Sequence, residues 1–206
     1  MRALVIIDMQ NDFMPWGSLP VNGGDAIIPL INRLTDHFQH VYATMDWHPP
    51  DHVSFALNHG KRPGEQLEIG HRKIALWPIH CVQGSLGAEL VSPLKKEKIE
   101  KIFHKGIDPL DDSYGVFFDE EKKRSTGLYE YLKKKRIKEL YFTGVATEYC
   151  VKYSVCSALE LGFSATVILD ACRGVHLKPG DEADAIKEMQ AKGAAIVTSQ
   201  NLLKTH

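Results

Sequence analysis

Short apolar runs alternate with longer amphipathic stretches along this chain. The apolar runs are those at 3–8, 40–46, 101–105, 139–143, 165–170 and 194–198. Most of them are continuous rather than alternating with polar residues, which is typical of strands in a sheet that is covered on both faces. Amphipathic patterns predict helices between them at about 24–38, 127–136, 148–161 and 180–192.

Strands and helices that alternate in this way predict an α/β fold. We expect a doubly wound, Rossmann-like and mostly parallel sheet of about six strands, with helices on both faces. The chain has 206 residues and contains no repeat, low-complexity segment or obvious linker. It is therefore predicted to form a single domain, 1–206.

One segment, at about 47–93, interrupts this alternation. It shows little regular pattern but contains many His, Pro and Trp residues. A connection of this length within a compact domain is usually functional. Because it leaves the carboxyl end of the second predicted strand, where open α/β sheets bind ligands, we expect it to form a metal and substrate loop.

The composition is ordinary for a soluble protein, with 44% hydrophobic and 25% charged residues. A formal net charge of −1 gives no general attraction to nucleic acid or to an anionic membrane, so neither partner is expected. The apolar stretch at 3–7 is far too short to span a bilayer, and no signal-peptide cleavage pattern follows it. The four cysteines form no C-x-x-C pair, so we expect free thiols and a cytoplasmic protein.

Reactive side chains stand where successive predicted strands end. Asp8 ends the first strand, and Asp46 ends the second, with His48 two residues later. Lys105 ends the third strand, and the fourth runs into a segment that contains Cys150. Because the carboxyl ends of parallel strands share one rim, these groups are predicted to meet.

These residue types suit covalent catalysis by a thiol. A cysteine attacks as the thiolate, and the start of the helix at 148–161 together with Lys105 would favour the anion on Cys150. Asp8 could take the thiol proton and later pass it to a leaving amine. The backbone N–H groups of Ala146 and Cys150 could form an oxyanion hole.

A second group of polar residues has the character of a metal site. Asp46, His48 and His80 offer one carboxylate and two imidazoles, which suit Zn²⁺ and also Fe²⁺ or Mn²⁺. Three protein ligands would leave coordination positions open for water or substrate. His52 and His71, in the same segment, are possible additional or outer ligands.

At these residues the chain resembles the nicotinamidases (pyrazinamidases) of the isochorismatase-like cysteine hydrolase superfamily. The resemblance covers nearly the whole chain, and its motifs are Ile6-Ile7-Asp8-Met9-Gln10-Asn11-Asp12-Phe13, Asp46-Trp47-His48-Pro49, His52-Val53-Ser54-Phe55, Trp77-Pro78-Ile79-His80-Cys81, Lys105-Gly106, Asp112-Ser113-Tyr114 and Gly144-Val145-Ala146-Thr147-Glu148-Tyr149-Cys150-Val151. One departure is Gly115-Val116-Phe117, where the family commonly has Ser-Gly/Ala-Phe, and it affects the details of the pocket.

The resemblance implies a hydrolase that converts nicotinamide to nicotinate and ammonia through a cysteine thioester, in NAD salvage and pyridine nucleotide biosynthesis. It also implies hydrolysis of pyrazinamide. The catalytic triad would be Asp8, Lys105 and Cys150. Relatives that hydrolyse isochorismate lack this cysteine, which argues against that reaction.

The resemblance further implies the cofactor and the pocket. One divalent metal, with Zn²⁺ in first place and Fe²⁺ or Mn²⁺ as alternatives, would be held by Asp46, His48 and His80 and would bind the pyridine nitrogen. In some members a further histidine ligates the metal; His52 is the candidate here, and we expect it not to do so. A cis peptide bond would precede Ala146. The residues that match the aromatic lining of the ring pocket are Phe13, Trp77 and Tyr114.

Two other functions stay open at this point. The first is a related cysteine amidase that acts on another small amide, such as an N-carbamoyl or ureido compound, although such relatives generally lack the metal ligands. The second is a non-catalytic scaffold with a structural metal, which would have no use for three buried charged or reactive groups. Assembly into a homo-oligomer also stays open.

Overall fold

The structure, a computed structural model, describes residues 1–119 and 122–203. The strands are Arg2–Ile7 (β1), His40–Asp46 (β2), Gln66–Ile69 (β3), Arg72–Ala75 (β4), Lys101–Lys105 (β5), Glu139–Val145 (β6), Ser164–Arg173 (β7) and Ala195–Val197 (β8). The α-helices are Ile28–Thr35 (α1), Leu128–Lys134 (α2), Lys152–Glu160 (α3), Asp181–Ala191 (α4) and Gln200–Leu203 (α5).

Six strands form one sheet in the order β5-β2-β1-β6-β7-β8. Every neighbouring pair in it is parallel. Strands β1, β2 and β5 follow one another toward one edge of the sheet. Strand β6 then pairs with the other side of β1, and β7 and β8 continue toward the opposite edge. The strand order therefore reverses between β1 and β6, which is where ligands bind in doubly wound sheets.

Helices cover both faces of this sheet, and the predicted fold class is confirmed. Side chains of β1 alternate between two cores, with Ala3, Val5 and Ile7 in one and Leu4 and Ile6 in the other. The first core also contains buried residues of α2, α3 and α4, whereas the second contains those of α1. Burial on both faces explains why the strand sequences are continuously apolar.

The six predicted strands are present; β2 and β5 have the predicted bounds, and the ends of the other four shift by at most three residues. The predicted helix at 24–38 is shorter, because α1 begins at Ile28, with a proline in its first turn, and ends at Thr35. The predicted helix at 148–161 begins instead with one turn of π-helix, Thr147–Val151, before α3. The short helix α5 has no counterpart among the predicted elements.

The expectation of little regular structure at 47–93 is wrong in part. Strands β3 and β4 form an antiparallel hairpin there, and Ala56–His59 form a 3-10 turn. Both strands have only four residues, most of them outside the core, so they lack the apolar pattern that identifies a strand. The signal that was available is Gly70, whose φ of 60° suits the tight turn between the strands.

No helix in the described ranges is long and apolar enough to cross a membrane. That residues 1–206 form one domain stays a prediction.

Candidate active site

Four strand ends deliver the predicted reactive groups to one rim of the sheet. Asp8 directly follows β1 with a φ of 48°, which turns the chain sharply away from the strand. Asp46 and Lys105 are register partners at the ends of the neighbouring strands β2 and β5. Cys150 lies in the π-helical turn that follows β6. The structure thus brings these four residues together at the switch point of the sheet.

The ammonium group of Lys105 is the centre of the cluster. Its Nζ lies 3.0 Å from Asp8 Oδ2 and 3.4 Å from Cys150 Sγ, and it also pairs with Asp46 Oδ1. A fourth contact is its hydrogen bond to the carbonyl oxygen of Ser113, at 3.1 Å. Lys105 is only 2% exposed, so these partners replace the water that the charge has lost.

Burial governs how the acid and the thiol titrate. It raises the pKa of Cys150 well above the ordinary thiol value, and Lys105 opposes this shift only in part. Lys105 favours the thiolate, as expected, but burial outweighs it, and the contribution expected from the start of the helix stays a prediction. Burial also raises the pKa of Asp8, again against the effect of Lys105. A carboxylate with a raised pKa is a stronger base, which suits the removal of a proton from this thiol.

Neighbouring carboxylates keep Lys105 protonated. Burial alone would lower its pKa, but Asp46 and then Asp8 outweigh that effect and raise it well above the ordinary value. Burial likewise acts to raise the pKa of Asp46, whereas Lys105 and His48 hold it far below the usual range. Lys105 and Asp46 therefore form a charged pair at neutral pH.

Two supporting residues were not found by sequence reasoning. Thr44 Oγ1 donates a hydrogen bond of 2.6 Å to Asp8 Oδ1. The side-chain amide of Gln10 bonds to both backbone groups of Asp46, donating to its oxygen at 2.7 Å and accepting from its nitrogen at 2.8 Å. Gln10 belongs to a recognised motif, but Thr44 carries no sequence signal because any strand can contain a buried threonine.

Asp46, His48 and His80 form a cluster in which one ligand atom from each lies within 4.8 Å of the others. His48 Nδ1 lies 2.9 Å from the oxygen of Gly106, and His80 Nδ1 lies 2.8 Å from that of Pro78. Both Nε2 atoms therefore face Asp46 Oδ2, at 3.6 Å and 4.0 Å. Imidazoles whose outer nitrogens are held by carbonyl oxygens are typical of metal ligands, so these residues fit a divalent cation.

The two imidazoles differ in their titration. Burial and then the nearby His48 lower the pKa of His80 to about 4, which keeps His80 in the neutral form that a metal ligand requires. Burial opposes the protonation of His48 as well, but Asp46 outweighs it and raises the pKa of His48.

The two histidines named above as possible additional ligands, His52 and His71, stand outside that cluster. His52 is buried, its Nδ1 lies 2.8 Å from Ser54 Oγ, and burial lowers its pKa to about 3. Its ring centre is 4.1 Å from that of His48, and it groups with His48 and Asp112 rather than with Asp46. His71 is exposed in the turn of the β3–β4 hairpin.

A cavity lies between the metal-type cluster and the thiol. The three aromatic residues predicted for the pocket line it, together with Cys150 and Ala146, which follows the cis peptide bond Val145–Ala146. Trp77 Nε1 donates a hydrogen bond of 2.9 Å to the hydroxyl group of Tyr114, which fixes both rings. Further lining residues, which sequence reasoning did not assign to the pocket, are Leu19, Asp112, Ser113, Tyr149 and Val175.

Comparison with known proteins gives the family. The model of the isochorismatase domain matches residues 2–201. The chain belongs to the isochorismatase family. It is 45% identical over 201 residues to the nicotinamidase of Escherichia coli (strain K12), which covers 96% of this chain and 94% of that protein.

Solved structures of the isochorismatase family agree with this fold. A nicotinamidase/pyrazinamidase of Acinetobacter baumanii is 41% identical and superposes with a TM-score of 0.94, covering 98% of this chain and 97% of that one. A pyrazinamidase of Pyrococcus horikoshii in complex with zinc is 37% identical, with a TM-score of 0.78 and coverage of 96% and 98%.

As an isochorismatase-family site, the arrangement is suited to covalent attack on a carbonyl group. The ammonium group of Lys105 contacts both the Cys150 thiol and the Asp8 carboxylate, whose pKa is raised. The adjoining cavity is lined both by aromatic rings and by the carboxylate–imidazole cluster. A small planar ring that carries an amide would place its apolar faces and its polar edge against matching surfaces.

Proposed function

We propose that this isochorismatase-family protein is a nicotinamidase, which hydrolyses nicotinamide to nicotinate and ammonia and also accepts pyrazinamide. The observation that carries the proposal is the position of Lys105 Nζ, 3.0 Å from Asp8 and 3.4 Å from Cys150 Sγ, beside the carboxylate–imidazole cluster. Relatives named nicotinamidase that are 45% and 41% identical over nearly the full chain support the choice of substrate. The cation cluster disfavours the related amidases for non-pyridine amides.

We propose that Asp46, His48 and His80 hold one divalent cation, Zn²⁺ by preference, with Fe²⁺ or Mn²⁺ as alternatives. The convergence of their ligand atoms and the zinc complex of the Pyrococcus horikoshii relative support this assignment. When bound, the cation supplies an open coordination position that suits the pyridine nitrogen.

The protein residues carry the chemical steps. Asp8 takes the proton of Cys150, and the sulfur attacks the amide carbon, so that the carbonyl electron pair moves onto oxygen. The N–H groups of Ala146 and Cys150 stabilise this oxyanion. Asp8 then gives its proton to the leaving nitrogen, the C–N bond breaks, and ammonia and a thioester result. Asp8 next deprotonates a water molecule, which attacks the thioester and releases nicotinate and the thiol.

The ring is positioned by the aromatic walls. Phe13, Trp77 and Tyr114 line the cavity and would contact the pyridine ring, while its carboxamide faces Cys150. The ammonium group of Lys105 offsets negative charge on Asp8 and on the sulfur throughout the cycle.

We also propose a cytoplasmic location and a role in NAD salvage. All four cysteines are free and buried, which suits a reducing compartment. Nicotinate is the product that would enter salvage.

An ammonia-release assay tests the proposed function. The wild-type protein should release ammonia from nicotinamide and pyrazinamide, and removal of metal by a chelator should abolish the release. Cys150→Ala should reduce the rate below detection yet still bind nicotinamide, whereas Cys156→Ala, a matched free cysteine outside the site, should keep the rate. Ammonia release from ureido compounds but not from nicotinamide would instead indicate a related amidase, and normal release by Cys150→Ala would show that the nucleophile is misassigned.

A further inference from the structure

A buried acid that the proposed mechanism does not use lies two residues before Cys150. Glu148 is only 6% exposed, in the same π-helical turn as the nucleophile. Its Oε1 accepts a hydrogen bond of 2.6 Å from the backbone N–H of His176, and its Oε2 is buried without a hydrogen-bond partner among the described residues. A carboxylate in such a place needs a reason, because its desolvation is costly.

The carboxylate of Glu148 also fits closely against Gly174. A Cβ atom at Gly174 would lie 2.6 Å from Glu148 Oε2, a distance that real Cβ atoms essentially never show, and 3.2 Å from Oε1, which is tighter than most. The φ of Gly174 is outside the left-handed region, so the backbone conformation itself would allow alanine. The constraint at Gly174 is therefore its contact with the carboxylate.

These two contacts lie on either side of one pocket residue. Strand β7 ends at Arg173 and α4 begins at Asp181, and we call the segment between them, 174–180, the β7–α4 loop. Val175 lies in this loop between Gly174 and His176, and it lines the cavity together with Cys150. Glu148 thus accepts a hydrogen bond from the backbone directly after Val175 and packs against the backbone directly before it.

We propose that Glu148 is a positioning residue, which clamps the β7–α4 loop so that Val175 forms a wall of the substrate pocket. This inference rests on the proposed function for the identity of the substrate. The nucleophile and the clamp share one turn, so the pocket wall is fixed relative to the sulfur that attacks the amide. Loss of the clamp should weaken substrate binding, while the contacts of Asp8 and Lys105 with Cys150 remain.

Single substitutions separate the clamp from a general effect on folding. Glu148→Ala should raise KM for nicotinamide about ten-fold, with kcat within about three-fold of wild type, since one hydrogen bond to a charged group is lost. Glu148→Gln keeps the acceptor for His176 and should restore most of the KM. Glu182→Ala, which removes a side-chain contact of 3.7 Å to the His176 ring but leaves the bond from the His176 amide to Glu148, is the matched control and should leave KM unchanged.

A double substitution tests the contact with Gly174. Gly174→Ala alone should raise KM, because its methyl group displaces the loop from the carboxylate. In the Glu148→Ala background the same change should add little, since the methyl group then enters the space that the carboxylate leaves. Independent, additive effects of the two changes on KM would overturn the proposal, as would a fall in kcat with KM unchanged.

Hydrogen exchange at the His176 amide, followed by NMR, tests the clamp without a substrate. The amide should be protected in the wild type and in Glu148→Gln, and it should exchange at least about ten-fold faster in Glu148→Ala, because its acceptor is gone. Equal protection in all three proteins would overturn the proposal. If the wild type shows this protection but releases no ammonia from nicotinamide, the proposed function fails and the clamp stands.

Discussion

At the scale of single residues, the main feature of the site is that one ammonium group contacts several acidic groups. Lys105 is the common neighbour of two buried carboxylates, Asp8 and Asp46, and of the Cys150 thiol. Two carboxylates and one ammonium leave a net negative charge in a region of low dielectric, which holds the thiol proton in place. A divalent cation beside Asp46 would offset that charge.

Removal of the lysine should therefore destabilise the fold. In the chelator-stripped protein, Lys105→Met leaves two carboxylates buried without their ammonium partner, and the free energy of unfolding should fall by about 3–5 kcal/mol. Lys138→Met, at an exposed lysine, should change it by less than about 0.5 kcal/mol. Urea unfolding at neutral pH measures both values. A loss below about 1 kcal/mol for Lys105→Met would show that the fold does not need the Lys105 charge to keep the two carboxylates buried.

The hydrogen bond from Thr44 should be visible in the pH profile. Burial raises the pKa of Asp8 above 3.8, with Lys105 and then the Thr44 hydroxyl opposing it. As the pH falls through this pKa, Asp8 becomes protonated and kcat/KM declines, so the acid limb should lie above pH 3.8. Thr44→Val removes the hydrogen bond and should move that limb up by about one pH unit.

Thr44→Ser is the matched control for this measurement, because it keeps the hydroxyl group and should leave the acid limb in place. An unchanged limb in Thr44→Val would mean that Asp8 is not the base that the profile reports.

At the scale of elements, sequence reasoning predicts the strands and the residues at their ends. It does not predict lateral contacts, by which we mean side-chain contacts between elements that are distant in sequence. Continuous apolar runs identify the six sheet strands, and parallel pairing then brings Asp8, Lys105 and Cys150 to one rim. Thr44 and Glu148 could not be assigned in this way. Their partners are 36 and 28 residues distant in sequence, and only packing of the elements shows which side chains meet.

The turn that follows β5 offers a test of one such lateral contact. Gly106 has a φ of +61°, and a Cβ atom there would lie 2.4 Å from the ring of His48, whose Nδ1 contacts the Gly106 oxygen. Gly106→Ala should displace the imidazole and weaken zinc binding about 10–100-fold, the usual effect of losing an outer partner of a metal ligand. Competition with a chromogenic chelator measures this affinity.

Gly60→Ala separates the effect of backbone conformation from that of the contact. Gly60 has nearly the same φ, +62°, but nothing lies within 4 Å of the position of its Cβ atom. This variant should lose about 1 kcal/mol of stability and keep its zinc affinity. Equal zinc affinity in both variants would show that Gly106 does not position His48.

At the scale of the whole molecule, the strand order reverses where the two halves of the sheet meet, and the reactive side chains lie at this point. Strands β1 and β6 are neighbours there, and residues 8 and 150 follow them. The first half, with the 47–93 segment, supplies Asp46, His48 and His80, whereas the second supplies Cys150. A ligand in the cavity between them contacts both halves, so binding should stabilise the entire fold rather than one loop.

Zinc, which would bind only where folding has brought Asp46, His48 and His80 together, should raise the melting temperature of the chelator-stripped protein. At a free concentration of about 100 times Kd, a ligand that binds only the folded state adds about 2.7 kcal/mol. For a chain of this size that corresponds to a shift of about 5–10 °C. His48→Ala should abolish the shift, because it removes one of the three proposed ligands. His104→Ala is the matched control, since this exposed histidine of β5 stacks on Trp47, is not part of the cluster, and should leave the shift intact. If His48→Ala kept the full shift, zinc would be stabilising the protein from somewhere other than the cluster at the switch point.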